Sequence, residues 1–323
     1  MEIPRNRRWL LGLCAVLSAG ISCVAWFGCT SEKLVLECEQ CGTVIGFQHN
    51  PNAYDLKGDV ASEIKQWDHR FHPGLFCSGP GDTLIIGSSS LPNGEMPDDF
   101  RMYFYKWLPW ESSLVAIESI GTSKSWCVSL DYNSEDRLYV LFGQQEDKEG
   151  VYLLDSSFTL ISEIPLPRET LHCEGSIRRG YLLKGGRLAI LCRDVVYLIE
   201  EGEVQTLSRR GSLLAKNRSG TRLVYDLVSA GGDSATAYVY DVETKESIKI
   251  ETGGRDIMAC AFSPDERYLV YNHRAGLLGD AGKMRVCDLE EKTDHGTRFY
   301  SIGGLVWIAT EPDEALMSSD QDK

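Results

Sequence analysis

Cys38 and Cys41 flank a Glu39-Gln40 turn, and a Cys-x-x-Cys turn can hold a metal or close a local disulfide. A tetrahedral zinc site needs four ligands. The nearest further candidates, His69 and His72 with His49 as a spare, stand well along the chain. The pair therefore reads first as a local disulfide or two thiols, and no cofactor is implied. A second group consists of Asp147, Asp233, His273, Arg274 and Asp280, which fall in polar segments at 144–149, 229–236 and 273–283. Carboxylates and a histidine gathered by loops supply acid–base chemistry or polar contacts to a ligand. Taken singly, each is also an ordinary solvated turn residue. Trp107 and Trp110 bracket Leu108-Pro109 at an expected hairpin tip, where exposed rings would contact a partner and inward rings would pack on a neighbour. No Gly-x-Ser-x-Gly elbow, phosphate-binding Gly-rich loop ending in Lys-Ser/Thr, His-Glu-x-x-His or EF-hand loop is present. Asn217-Arg218-Ser219 is a glycosylation sequon, relevant in a eukaryotic secretory route.

The chain that must position these residues has 323 residues and a formal net charge of −14, from 33 Lys+Arg against 47 Asp+Glu. That balance argues against a nucleic-acid partner, whose phosphates need clustered positive charge. With 43% hydrophobic and 25% charged residues it has the composition of a folded globular protein. Residues 1–30 read as an export segment. Arg5, Arg7 and Arg8 precede an uncharged run from Trp9 to Cys29. The run is long enough for a membrane anchor, which needs about 20 apolar residues, and Ser18-Ala19-Gly20 offers the small residues of a signal-peptide cleavage site. Both readings place the remainder outside the cytoplasm, either membrane-anchored or secreted or periplasmic after cleavage.

Beyond residue 70 the sequence repeats with a period of roughly 45–50 residues. An apolar run opens each unit, at Leu84, Leu138, Leu188, Leu223, Leu269 and Leu316, often behind an Arg as at 137, 187, 222 and 267. A second run follows and usually ends in an acid, as in Val151–Asp155, Val196–Glu200, Ala237–Asp241 and Met284–Asp288. Short β-branched and aromatic runs split by Gly, Asp, Ser and Pro are strands and turns. Four such strands per unit build one blade of an antiparallel propeller.

Ala261-Phe262-Ser263-Pro264-Asp265-Glu266-Arg267-Tyr268-Leu269-Val270 resembles the FSPDGxxL element of TolB-like and WD-type propeller repeats, and Tyr238-Val239-Tyr240-Asp241-Val242-Glu243-Thr244-Lys245 is similar to the turn that follows it. The resemblance is clearest over residues 211–300 and lacks the Trp-Asp and Gly-His elements of true WD repeats. It implies a fold, not a family function.

The expected architecture is therefore all-β: a six-bladed β-propeller over residues 33–323, behind the apolar segment. A hairpin over 33–48 (Leu34–Glu37 and Thr43–Phe47) is expected to complete a last blade begun by Leu305–Ile308 and Ala315–Met317. Residues 49–73 read as a long connection with a short helix from Val60 to Trp67, and 74–323 as the blades. Cys77, Cys127, Cys173, Cys192, Cys260 and Cys287 are expected as buried apolar thiols. The loops joining second to third strands, including 93–101, would gather at one mouth of the ring. Export, repeats and the lack of a catalytic motif point to a platform for a protein or peptide partner. The alternative is a hydrolase- or lyase-type enzyme whose site is assembled from several blades in the central funnel.

Overall fold

A computed structural model describes residues 42–308 apart from 48–50, 57–59, 64–72, 80–82, 89–90, 92–94, 96–102, 109–112, 118–125, 146–147, 168, 170, 172–176, 230–234, 251, 253–255, 274–281 and 302–303. The expected export segment, Cys38, Cys41 and Ala315–Met317 lie outside the described residues.

Short β-branched and aromatic runs become strands, and each turn cluster ends one. The first three are β1 (Thr43–Phe47), β2 (Pro51–Asp55) and β3 (Val60–Glu63). Blade 1 comprises β4 (Pro73–Ser78), β5 (Leu84–Ser88), β6 (Tyr103–Leu108) and β7 (Ser113–Ile117). Blade 2 comprises β8 (Trp126–Asn133), β9 (Leu138–Gln145), β10 (Lys148–Leu154) and β11 (Leu160–Ile164). Blade 3 comprises β12 (Ile177–Leu182), β13 (Leu188–Cys192), β14 (Val195–Glu200) and β15 (Glu203–Ser208). Blade 4 comprises β16 (Leu213–Lys216), β17 (Arg222–Val228), β18 (Ala235–Asp241) and β19 (Ser247–Ile250). Blade 5 comprises β20 (Ile257–Phe262), β21 (Tyr268–His273), β22 (Lys283–Asp288) and β23 (Thr293–Tyr300). The last strand is β24 (Leu305–Ile308), and blade 6 has the order β24-β1-β2-β3. The first strands β4, β8, β12, β16, β20 and β24 each touch the next, and β24 touches β4. The six blades therefore form a closed ring around one axis.

Blade 6 differs from the expected division. Its inner strand comes from the C-terminal side and its other three strands from the N-terminal side. Thr43 pairs with Ile308 and Gly46 with Leu305. The first arm of the expected hairpin, Leu34–Glu37, is outside the described residues. Residues 49–73 are not a plain connection, because β2 and β3 lie within them. Val60–Glu63 is a strand paired to Asn52–Asp55, not the first turn of a helix. The ladder to β2 satisfies its backbone groups, and three apolar positions were too few to outweigh that tertiary pairing.

Each of the five blades that follow in sequence carries a register shift near the start of its inner strand, between Pro73/Leu75, Cys127/Ser129, Ile177/Arg179, Leu213/Ala215 and Ile257/Ala259. A bulge bends and twists a strand locally. Repetition at one position tilts each inner strand alike as it enters the channel.

Between blades the core is apolar. Val140, Phe142 and Val151 of blade 2 pack on Ile190, Cys192 and Tyr197 of blade 3. Gly180 permits that approach, since a Cβ there would stand 2.2 Å from the Phe142 ring. Trp107 has no exposed surface and packs with Ile45, Leu84, Ile86, Tyr105 and Ile308 between blades 1 and 6. It is therefore a core residue and not an exposed partner contact. Its place inside β6, opposite Leu84, turns the ring inward. Trp110 is outside the described residues.

Candidate functional site

The ring has two faces. The turns between first and second strands, and between third and fourth, lie on one. The remaining connections, which include the long loops, form the mouth on the other. On the turn face of blades 3, 4 and 5 the Arg at the start of the second strand meets the acid that ends the third. Arg187 Nε donates to Glu200 Oε1 at 2.6 Å. Arg267 Nε and Nη2 donate to Asp288 Oδ2 at 3.0 and 2.8 Å. Arg222 stands 3.8 Å from Asp241. Asp241 and Asp288 also cap the next turn, because their Oδ1 atoms accept from the backbone N–H groups of Glu243 and Thr244, and of Glu290 and Glu291. Burial pushes the Asp288 carboxyl up, but Arg267 and the two N–H donors outweigh it and hold the group below the usual carboxylate range. The two repeated sequence features are thus the two halves of one contact within a blade.

A second set of polar contacts runs between blades along the channel wall. Ser129 Oγ donates to Gly180 O at 3.0 Å. Arg179 Nη1 donates to Leu213 O and Leu214 O, both at 3.1 Å, and the Tyr181 hydroxyl donates to Leu214 O at 2.9 Å. Burial raises the Tyr181 phenol to about 12. Lys216 reaches from blade 4 past blade 3 to blade 2. Its ammonium lies 3.0 Å from Asp131 Oδ2, 3.0 Å from Tyr132 O and 3.1 Å from Leu182 O. Asp131 in turn accepts from the N–H groups of Tyr132 and Leu182. The Lys216 and Asp131 side chains are 7% and 8% exposed. Three acceptors match the three protons of an ammonium, so this pair ties three blades together and keeps no donor spare for a ligand. Sequence reading missed it. Its one signal was a single charge in an apolar inner strand, as in Leu213-Leu214-Ala215-Lys216 and Ser129-Leu130-Asp131.

The sequon is part of this inter-blade bonding. Asn217 is 0% exposed, and its amide nitrogen lies within hydrogen-bonding distance of Ser219 Oγ, Thr221 Oγ1 and Glu266 Oε2. Glu266 of blade 5, at a left-handed φ of 61°, also accepts from Ser219 N–H at 2.7 Å. The nitrogen a glycan would need is thereby turned inward in the folded chain.

Of the residues singled out at the mouth, His273 is among the described residues. His273 is there, at the end of β21, 2% exposed, with its ring edge-on to Tyr271 at 5.3 Å. It is a strand residue and not part of an open loop. Asp147, Asp233, Arg274 and Asp280 lie outside the described residues. The strand register puts Tyr271, His273, Arg285 and Asp294 on one face of blade 5. There Arg285 Nε donates to Asp294 Oδ2 at 2.7 Å. Among the described residues no group of three or more His, Cys, Asp or Glu could hold a metal ion. Cys77, Cys260 and Cys287 are buried thiols, as expected, and burial raises Cys287 to about 12. Cys192 departs from expectation, since it is disulfide-bonded.

No family model matches the chain, and no curated protein matches it. The fold does match solved structures. TolB from Acinetobacter baumannii superposes with a TM-score of 0.58 at 12% identity, covering 82% of this chain and 66% of that one. The periplasmic gluconolactonase PpgL of Pseudomonas aeruginosa gives a TM-score of 0.51 at 12% identity, covering 84% and 99%. A putative TolB from Agrobacterium tumefaciens gives 0.50 at 11% identity, covering 80% and 89%. At these identities the likeness is one of fold: a TolB-like six-bladed β-propeller. The chain spans about two thirds of the Acinetobacter protein's length.

Proposed function

We propose that this chain is an exported, membrane-tethered propeller that holds a protein or peptide partner on its mouth face. The observation that carries the reading is the state of the channel wall. The polar groups of Ser129, Asp131, Arg179, Tyr181 and Lys216 are used to bond neighbouring blades, which favours a rigid scaffold working through its rim. Export draws support from the basic start and apolar run of residues 5–29 and from the Cys192 disulfide, a bond that persists in oxidising compartments. The likeness to TolB and to a periplasmic enzyme agrees with that address. The test is a pull-down with the tagged full-length chain solubilised from membranes. A discrete protein retained at stoichiometric level supports the platform, and a bait that stays alone in every fraction refutes it.

The alternative is a hydrolase or lyase. It is favoured by the His273, Tyr271, Arg285 and Asp294 face of blade 5 and by the likeness to a gluconolactonase. An aldonolactone assay decides it. Turnover by the full-length chain that disappears in Asp294→Asn supports the enzyme, and turnover equal to that of the variant removes it.

A further inference from the structure

Three of the six large apolar side chains exposed among the described residues lie on the outer strands of two adjacent blades: Val115 of β7 at 56%, and Leu160 and Ile161 of β11 at 46% and 55%. The strand register places them on facing walls. Ile85, Phe104 and Ile117 of blade 1 pack on Tyr139, Tyr152 and Leu154 of blade 2. Lys106 pairs with Ile85 on one side and with Val115 on the other, so both share that face of blade 1. Leu154 pairs with Leu160, which therefore shares the facing side of blade 2, and Ile161 stands at the register shift beside it. The outer end of the interface between blades 1 and 2 is thus a groove with an exposed apolar side chain on each wall. Among the described residues none forms an ion pair with Lys106, which is exposed on the blade 1 wall. The acids bordering the groove are engaged. Asp155 caps its own turn by accepting from the N–H groups of Ser157 and Thr159. Glu163 lies back against Gly150, where a Cβ would stand 3.2 Å from its Oε1.

The chain supplies a segment that matches this groove. Blade 6 already has four strands, β24, β1, β2 and β3, so the strand expected at Ala315-Leu316-Met317 is not needed to complete it. That apolar run follows directly on Glu311, Asp313 and Glu314. β24 is a first strand and ends at Ile308 on the turn face, the same side from which the fourth strand β11 starts. Leu316 is eight residues past Ile308 (308 to 316), and eight extended residues reach about 28 Å. Strands about 4.8 Å apart and sheets about 10 Å apart put the groove roughly 20–25 Å from the end of β24. We propose that residues 311–317 seat in the groove as a strap that runs from blade 6 across blade 1. Leu316 and Met317 cover Val115, Leu160 and Ile161, and the acids lie beside Lys106. Apolar surface on both sides then leaves water together, and the carboxylates gain a cation. The strap ties the blade that closes the ring to the next two. It does not depend on what the mouth holds.

The test is the rate at which a maleimide alkylates Leu160→Cys in the folded full-length chain, read at that peptide by mass spectrometry. Adding Leu316→Asp and Met317→Asp should raise the rate about tenfold, because charged side chains do not enter an apolar groove. Val115→Cys on the opposite wall should respond alike. Adding Lys106→Glu to Leu160→Cys should raise the rate about threefold, and Lys106→Arg should leave it unchanged. Ile248→Cys, on the outer strand of blade 4, is the control and should react at one rate with either tail. A photoreactive residue at Leu316 should join residues 103–117 or 158–164 of its own chain, in a product that migrates as a monomer. Equal alkylation with the native and the doubly substituted tail at both cysteine positions, at matched thermal stability, overturns the proposal. So does a photoproduct that joins two copies of the chain, or one that joins the chain to a different protein.

Discussion

In blades 3, 4 and 5 an arginine opening the second strand faces an acid closing the third, whereas Lys216 meets Asp131 once in the whole described ring. The first contact lies within a blade, on the turn face, with its arginine 22–37% exposed. The second lies between blades, against the channel, and is almost wholly buried. The difference teaches where each kind of information resides. A contact within a repeat is copied with the repeat. A contact between blades belongs to the angular position of two strands around the axis, and the repeats signal it only by a lone charge in each apolar inner strand. Exposed pairs contribute little each, while a buried pair is costly to break because the survivor remains charged and dry.

That comparison can be broken at several points. Lys216→Met should have the largest effect, a loss of about 3–5 kcal/mol, because Asp131 is left buried without its cation. Urea unfolding of the full-length chain measures it. The double variant Asp131→Leu, Lys216→Met should recover much of the loss. A single variant that costs no more than an exposed pair would erase the distinction between the two regions. Cys192→Ser should cost about 2–4 kcal/mol and make the melting temperature insensitive to reductant, while the wild type loses stability when reduced. Glu266→Ala should cost about 1–3 kcal/mol, since it removes the acceptor shared by Asn217 and Ser219 across blades 4 and 5. Arg267→Gln should have the smallest effect at neutral pH and reveal itself in acid. The Asp288 carboxyl is held below its unfolded value, so its contribution is present above that value and is lost as pH falls through the folded one. The acid limb of the melting curve should therefore be shallower in the variant. An unchanged limb would mean that the two turn N–H groups, not the guanidinium, hold the carboxyl down.

Much of the fold was legible because it repeats. The apolar runs beginning at Leu84, Leu138, Leu188, Leu223 and Tyr268-Leu269 are second strands, and the acids at Glu200, Asp241 and Asp288 close third strands. Blade 6 was legible only in outline. Its strands β2 and β3 are five and four residues long, and Pro51 and Gly58 read as loop residues. Pairing to β1 makes them strands, and that pairing is non-local information. For Trp107 the sequence left an exposed and an inward ring both open, for a related reason. Pro109 two residues on marks a turn, but the ring's direction follows from the strand register, which puts it beside Leu84 and inside. The candidate site was the least legible part. His273 was found and proved to be buried.

The measurement that bears most directly on the functional account is photo-crosslinking in intact cells, with the photoreactive residue placed either at Leu227 on the mouth or at Glu243 on the turn face. The account predicts a crosslink to a second protein from Leu227 and none from Glu243. A crosslink from Glu243 alone, or none from either position in cells that hold the chain at its natural level, would contradict it.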